Sequence, residues 1–509
     1  MIAAISQIKN HFTHWREWEL NPVVIKELRQ GVRSWTVTGM LLLFLVVLFI
    51  TSLGFLITES FDVNANMGLG GTMFTSFMVI LAGASVFFIP LYTGVRVAAE
   101  RQDNNPDLLY VTTLSPTRII HGKFLCSAYI VLLFFSACMP FMAFTNLLRG
   151  VDLPTVFFIL AFLFLVVCTA NMFAIFLACL PMSRPFKFLF IIGGIFLSFG
   201  VIASMVSASY EIMRSGVGAM MADSNFWIGT LTVAGILIAV TGLLFVLSAA
   251  LISPPSANRA LPPRIYLTVF WLLGGILSLR WVSQTLDATR LMFWVYPTIV
   301  AMVLALLVTI SNADQLSLRV RRTVPRAGVK RFFAFCFFNG AAGGLVWIAG
   351  ISLVTCALTR WVMMKFPVSG VMSEDTQQVL ITVSAYAFAY ALTALFIHRK
   401  FLASRPPKLA GLLAILLAGG WAIVPSIFLF FVNQLSWKSV EGLQLGNIFN
   451  VFFSRDTSQL IYHVYFAFGW LLVAVVLNAK WFWQQVKNFR PVEKVENTTA
   501  NGEVPPVIA

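Results

Sequence analysis

Residues 98–123 read AAERQDNNPDLLYVTTLSPTRIIHGK and lie between two long apolar runs. Upstream, residues 71–95 read GTMFTSFMVILAGASVFFIPLYTGV; downstream, residues 124–144 read FLCSAYIVLLFFSACMPFMAF. Crossing the ~30 Å hydrocarbon core of a bilayer takes roughly 20 apolar residues at the helical rise. Each run is therefore long enough for one crossing, and the polar stretch is the loop between them. Backbone groups in lipid must be satisfied internally, which leaves helices or a closed barrel. Barrel strands alternate in polarity, and these runs do not. The fold class that follows is all-α, a polytopic integral membrane helical bundle.

The whole chain repeats this pattern. Of its 509 residues 59% are hydrophobic and only 11% are charged, with 48 Phe and 14 Trp. Soluble domains carry about 25% charged residues, so the composition excludes an ordinary soluble enzyme. Twelve spans are expected, at about 36–58, 71–95, 119–144, 154–180, 186–209, 226–251, 266–282, 290–311, 332–359, 378–397, 409–434 and 459–482. The seventh is the shortest. The first 35 residues lack an early apolar core, so the first span is expected to serve as its own insertion signal.

With the N-terminus placed inside, 27 of the 35 Lys and Arg fall in inner segments or at the span ends adjoining them, whereas the 20 acidic residues divide evenly. Basic residues favour the cytoplasmic side, so both termini and the 96–118 loop are expected in the cytoplasm. The formal net charge of +15 is then a topology signal and implies no nucleic-acid partner.

Residues 1–35 form an expected cytoplasmic amphipathic elbow helix. Asn21 offers an N-cap with Pro22 at the first helical position. At 100° per residue Val24, Leu28, Val32 and Trp35 share one face, with Lys26, Arg29, Gln30 and Arg33 opposite. Ile5, Ile8, Phe12 and Trp15 make a similar stripe upstream. Basic residues and Trp on such a helix suit the membrane interface. In the 98–123 loop, Asn105-Pro106 and Ser115-Pro116 are two further cap-plus-proline signals. Between them PDLLYVTTL presents Leu108, Leu109, Val111 and Leu114 over about two turns, too short to be stable without a partner surface.

These residues carry a resemblance to bacterial ATP-binding cassette (ABC) transporter permeases of the type-2, export-class family. NPVVIKELRQGVRSW resembles that family's elbow, with Asn21, Pro22, Lys26, Glu27 and Arg29 in it. Glu100, Arg101, Asp107, Leu108, Leu109, Thr112, Leu114, Ser115, Pro116, Gly122 and Lys123 lie in a stretch similar to its ATPase-coupling loop and third-span entry. Asn105-Pro106 stands where the family usually has Gly-Thr. The resemblance covers roughly residues 15–250. It implies that a short helix after the second span docks on a separate ABC ATPase subunit, which would bind the ATP and Mg.

The segment SPPSANRALPPR, residues 253–264, holds four prolines and reads as a linker between a six-span permease-like domain, 36–252, and a second six-span membrane domain, 265–482. Residues 483–509 read as a disordered cytoplasmic tail. The second half lacks the Glu-Arg pair and the Leu-rich turn, so a degenerate permease half and an accessory bundle both remain open.

Other chemistry is sparse. The six Cys fall inside apolar runs with no CxxC spacing and read as buried small side chains. His11 and His14 share a face without a third ligand, and His398 and His463 read as interfacial. Gly193-Gly194, Gly343-Gly344 and Gly419-Gly420 read as close helix contacts. No GxxxxGK[ST], HExxH or GxSxG occurs, so no catalytic, cofactor-binding or metal residue is expected in this chain. The expectation is a non-enzymatic permease subunit of an ATP-driven exporter in the bacterial inner membrane. Its partners would be an ABC ATPase, the lipid bilayer, and a second permease copy or accessory membrane protein. The alternatives are a membrane-embedded scaffold and an ion-coupled secondary transporter.

Overall fold

A computed structural model describes residues 22–59, 69–103, 115–148, 151–181, 184–220, 222–312, 316–367, 374–432, 444–453 and 457–491. Twelve of its helices are long and apolar enough to cross a membrane, and the described residues include no strand. The chain is a multi-pass helical membrane protein. It divides into two compact units, 1–254 and 255–509, and the division falls within the proline-rich stretch.

In the first unit an elbow helix, Pro22–Val32, leads into the first span, Trp35–Glu59. The second span runs through Leu69–Ala82, a π-helical turn Gly83–Phe88, and Ile89–Asp103. The π turn has a local cause. Pro90 has no N–H to donate and its ring crowds the carbonyl four residues back, and a wider turn relieves both problems. The third span, Pro116–Leu147, begins at an N-cap: Ser115 Oγ accepts from Arg118 N at 3.4 Å, with Pro116 at the first helical position. Leu153–Cys179, Arg184–Ser215 and Ser224–Ile252 complete the unit. Phe44, Leu48, Phe74, Phe77, Phe134 and Leu163 meet in its core. The opposite faces stay apolar and exposed, as Ile50, Phe196 and Leu231 illustrate, which is the surface lipid requires.

In the second unit the seventh span is Leu261–Thr285, longer than the sequence suggests. Pro262 and Pro263 occupy its first turn, where a missing N–H costs nothing, so residues 261–264 are helical and the linker is shorter than 253–264. The eighth span is Met292–Ile310. The ninth, expected as one helix over 332–359, is broken: Gly328–Phe337 ends, the chain turns through Gly340 at φ 131°, and Ala341–Lys365 begins. That φ suits glycine and few other residues. Arg264 enforces the break, because its guanidinium donates to the carbonyls of Cys336 at 2.8 Å, Phe338 at 2.7 Å and Gly340 at 3.2 Å. A continuous helix would need carbonyls in that stretch for its own ladder.

Glu374–Phe401, Lys408–Val432 and Thr457–Asn488 follow. The tenth span is the most deeply buried, and Ala385, Ala389, Ala391 and Ala394 let its neighbours approach closely. Trp–Thr hydrogen bonds link several spans: Trp271 Nε1 to Thr355 Oγ1 at 3.0 Å, Trp347 Nε1 to Thr268 Oγ1 at 2.9 Å, and Trp470 Nε1 to Thr393 Oγ1 at 3.0 Å. His463, near the start of the twelfth span, is fully buried in the protein, with Tyr386 Oη 3.0 Å from Nδ1 and Asn450 Oδ1 2.9 Å from Nε2. His398 is buried as well, with Nε2 3.1 Å from Pro406 O. All six cysteines are free, five of them buried.

Of the three glycine pairs, only Gly343-Gly344 sits at a close contact; Gly193-Gly194 and Gly419-Gly420 face open space. A methyl on Gly343 would land on the carbonyl oxygen of Phe335, which backbone cannot yield cheaply. Gly343→Ala should therefore cost about 1–3 kcal/mol, the range for overpacking. Gly350→Ala, in open space, should be neutral or slightly stabilising. Thermal unfolding of both variants in detergent checks the contrast.

Candidate functional site at the elbow helix

The elbow helix meets the first unit by only part of its hydrophobic stripe. Val24, Glu27 and Gly31 are buried, with Leu28 packed at the edge, while Val32 and Trp35 are 63% and 84% exposed. A carboxylate decides the rotation. Glu27 Oε2 lies 3.2 Å from Arg96 Nη2, and Glu27 Oε1 lies 3.1 Å from Lys123 Nζ. Val32 and Trp35 are left facing outward, apolar side chains at a position suited to lipid.

The same two cations reach Glu100. Lys123 pairs with it closely, and Arg96 Nε is 4.0 Å from its Oε1. Arg96 also donates to Tyr92 Oη at 3.2 Å and to Gln30 Oε1 at 2.5 Å. Two acids and two bases thus form a neutral cluster from three elements: the elbow, the end of the second span and the start of the third. Only 7% of the Glu27 side chain and 10% of Lys123 are exposed, against 21% for Arg96 and 32% for Glu100. Gly31 is buried beside the cluster, with room for a methyl in ordinary contact with Ile130 Cδ1 at 3.8 Å and Arg96 Nη1 at 3.9 Å.

The expected site residues divide accordingly. Glu27, Glu100 and Lys123 come together, and Gly122 is buried beside Lys123 on the third span. Lys26 and Arg29 are exposed and take no part in the cluster. Arg101 belongs to the last turn of the second span. Glu100 is engaged by Lys123 and Arg96, the latter four residues away on the same helix face. Pro22 opens the elbow helix. Asn21, the upstream stripe and Asp107, Leu108, Leu109, Thr112 and Leu114 lie outside the described residues; of the expected disordered tail 483–509, residues 483–488 continue the twelfth-span helix instead, and those beyond 491 lie outside the described residues.

Sequence reasoning missed Arg96, Tyr92 and Gln30. The signal was present in the i, i+4 ladder Tyr92–Arg96–Glu100 on one helix face. It was masked because Arg96 reads as the first polar residue after an apolar run.

A multi-pass helical bundle with a charged clasp at the ends of its second and third spans is the class these observations define. Comparison of the chain with protein-family models, with curated proteins and with solved structures found no match.

Removing one member of a desolvated ion cluster strands the others. Glu27→Gln should destabilise the elbow attachment by about 3 kcal/mol, at the low end for breaking a buried pair because Glu100 remains. A double-mutant cycle with Lys123→Met, read by thermal unfolding, should give a coupling above roughly 1 kcal/mol. A coupling near zero would mean the two side chains do not hold each other.

Proposed function

We propose that this chain is the permease subunit of an ATP-driven export transporter of the ABC type-2 class, resident in the bacterial inner membrane with both termini cytoplasmic. ATP and Mg are bound by a separate ABC ATPase subunit, and the 104–114 loop is where that subunit docks. The observation that carries the reading is the four-membered clasp. Glu27 of the elbow is held by Arg96 and Lys123, which flank the two helix ends from which the loop departs. A push on the loop would therefore be delivered to the elbow, and through it to the first span, without first breaking a desolvated cluster. The asymmetric charge distribution supports the inward orientation.

Purification of the tagged full chain from its native membrane in mild detergent tests this. An ATP-hydrolysing partner should copurify. Leu108→Asp combined with Leu109→Asp should remove that partner while leaving membrane insertion intact. Glu27→Gln should keep the partner but uncouple its hydrolysis from the permease. An unchanged pull-down with the Asp variants defeats the docking assignment. Labelling of Ser115→Cys by an impermeant maleimide on intact cells defeats the orientation.

A further inference from the structure

Among the described residues Arg264 is the one Lys or Arg in the buried class, and it has no clasp. Its side chain is 4% exposed and reaches three backbone carbonyls and the face of Trp347, 5.8 Å from the ring centroid. No carboxylate pairs with it among the described residues. Carbonyl dipoles satisfy its N–H groups but do not cancel its charge, and an uncompensated buried charge is costly.

Beside it lies a cleft of about 540 Å3. One wall contains Asn339 and Gly340, the latter one of the residues whose carbonyls Arg264 holds. The others bring Arg321, Phe335, Gln485, Asn488 and Phe489. Arg321 Nε is buried and finds no hydrogen-bond partner among the described residues. The cleft thus combines a donor lacking an acceptor, three side-chain amides and a buried positive charge behind the wall, and no acidic side chain lines it among the described residues.

Its level in the bundle is equally specific. Successive spans alternate in direction, so the start of the seventh and ninth and the end of the eighth and twelfth lie at one membrane face. Arg264, Gly340 and Asn488 sit at such ends, Arg321 just beyond the eighth, and Phe335 and Phe489 meet edge to face there, ring centroids 5.3 Å apart. Lipid phosphates occupy that depth, and basic pockets between span ends recognise them.

We propose that this cleft binds a phosphate group, with Arg321 as its principal donor, the amides of Gln485 and Asn488 as further contacts, and Arg264 supplying the field. The group comes from an anionic lipid headgroup or from free phosphate, and two arms of one experiment separate these sources. In the first, the full chain is exchanged into nanodiscs of phosphatidylglycerol or phosphatidylcholine, and retained lipid is read by native mass spectrometry. In the second, inorganic phosphate is titrated against the delipidated protein in detergent and thermal unfolding is followed.

Arg321→Gln should lower retention of the anionic lipid, or the response to phosphate, by about tenfold, the scale of one charge-assisted hydrogen bond. Arg326→Gln, exposed on the same connecting segment and outside the cleft, should change neither. Asn488→Leu gives a second probe should Arg321→Gln fail to fold. Equal binding by wild type and both cleft variants overturns the proposal. So does an equal loss from Arg326→Gln, which would mark a diffuse basic surface.

Discussion

Desolvated charge is the constraint on which this architecture turns. In hydrocarbon a cation or a carboxylate without a partner is expensive, so each one admitted to the bundle must be matched. Glu27 is matched by Arg96 and Lys123, and that pairing sets which face of the elbow helix touches the first unit. Val32 on the elbow and Trp35 at the start of the first span stay exposed, on a side suited to lipid. A polar contact thus anchors the elbow to the first unit while part of its apolar stripe stays exposed.

The second unit meets the same constraint through its backbone. Arg264 draws the carbonyls at 336, 338 and 340 away from a helical ladder, and the ninth span breaks there. Asn339, at the break, fastens the chain ahead of the seventh span by accepting from Ala260 N at 2.8 Å and donating to Ala257 O at 3.0 Å. Farther along, Tyr386 and Tyr390 hold the 444–450 segment through Gly446, with His463 wedged between Tyr386 and Asn450. The buried polar groups of this segment are joined into one network, as a low-dielectric interior favours.

How far the site could be read from the chain follows from the same physics. Glu27, Glu100 and Lys123 were legible as charges near span ends, and Ser115-Pro116 as a helix start. That the three charges form one cluster was not legible, because 96 residues separate Glu27 from Lys123 and only packing closes that distance. Arg96 escaped notice since polar residues at span ends are ordinary. The glycine pairs show the limit from the other side: three look alike in sequence, yet one alone meets a neighbour.

Composition and run length determined by themselves that this is a twelve-span helical membrane protein, because the thickness of a bilayer and the cost of an unpaired peptide group leave no other solution for such runs. Proline placement likewise determined where the third span begins. Tertiary structure alone decided the break in the ninth span, the rotation of the elbow and the burial of His463. Each of these depends on which distant side chain or carbonyl satisfies a polar group, a choice made by helix packing and invisible to local pattern.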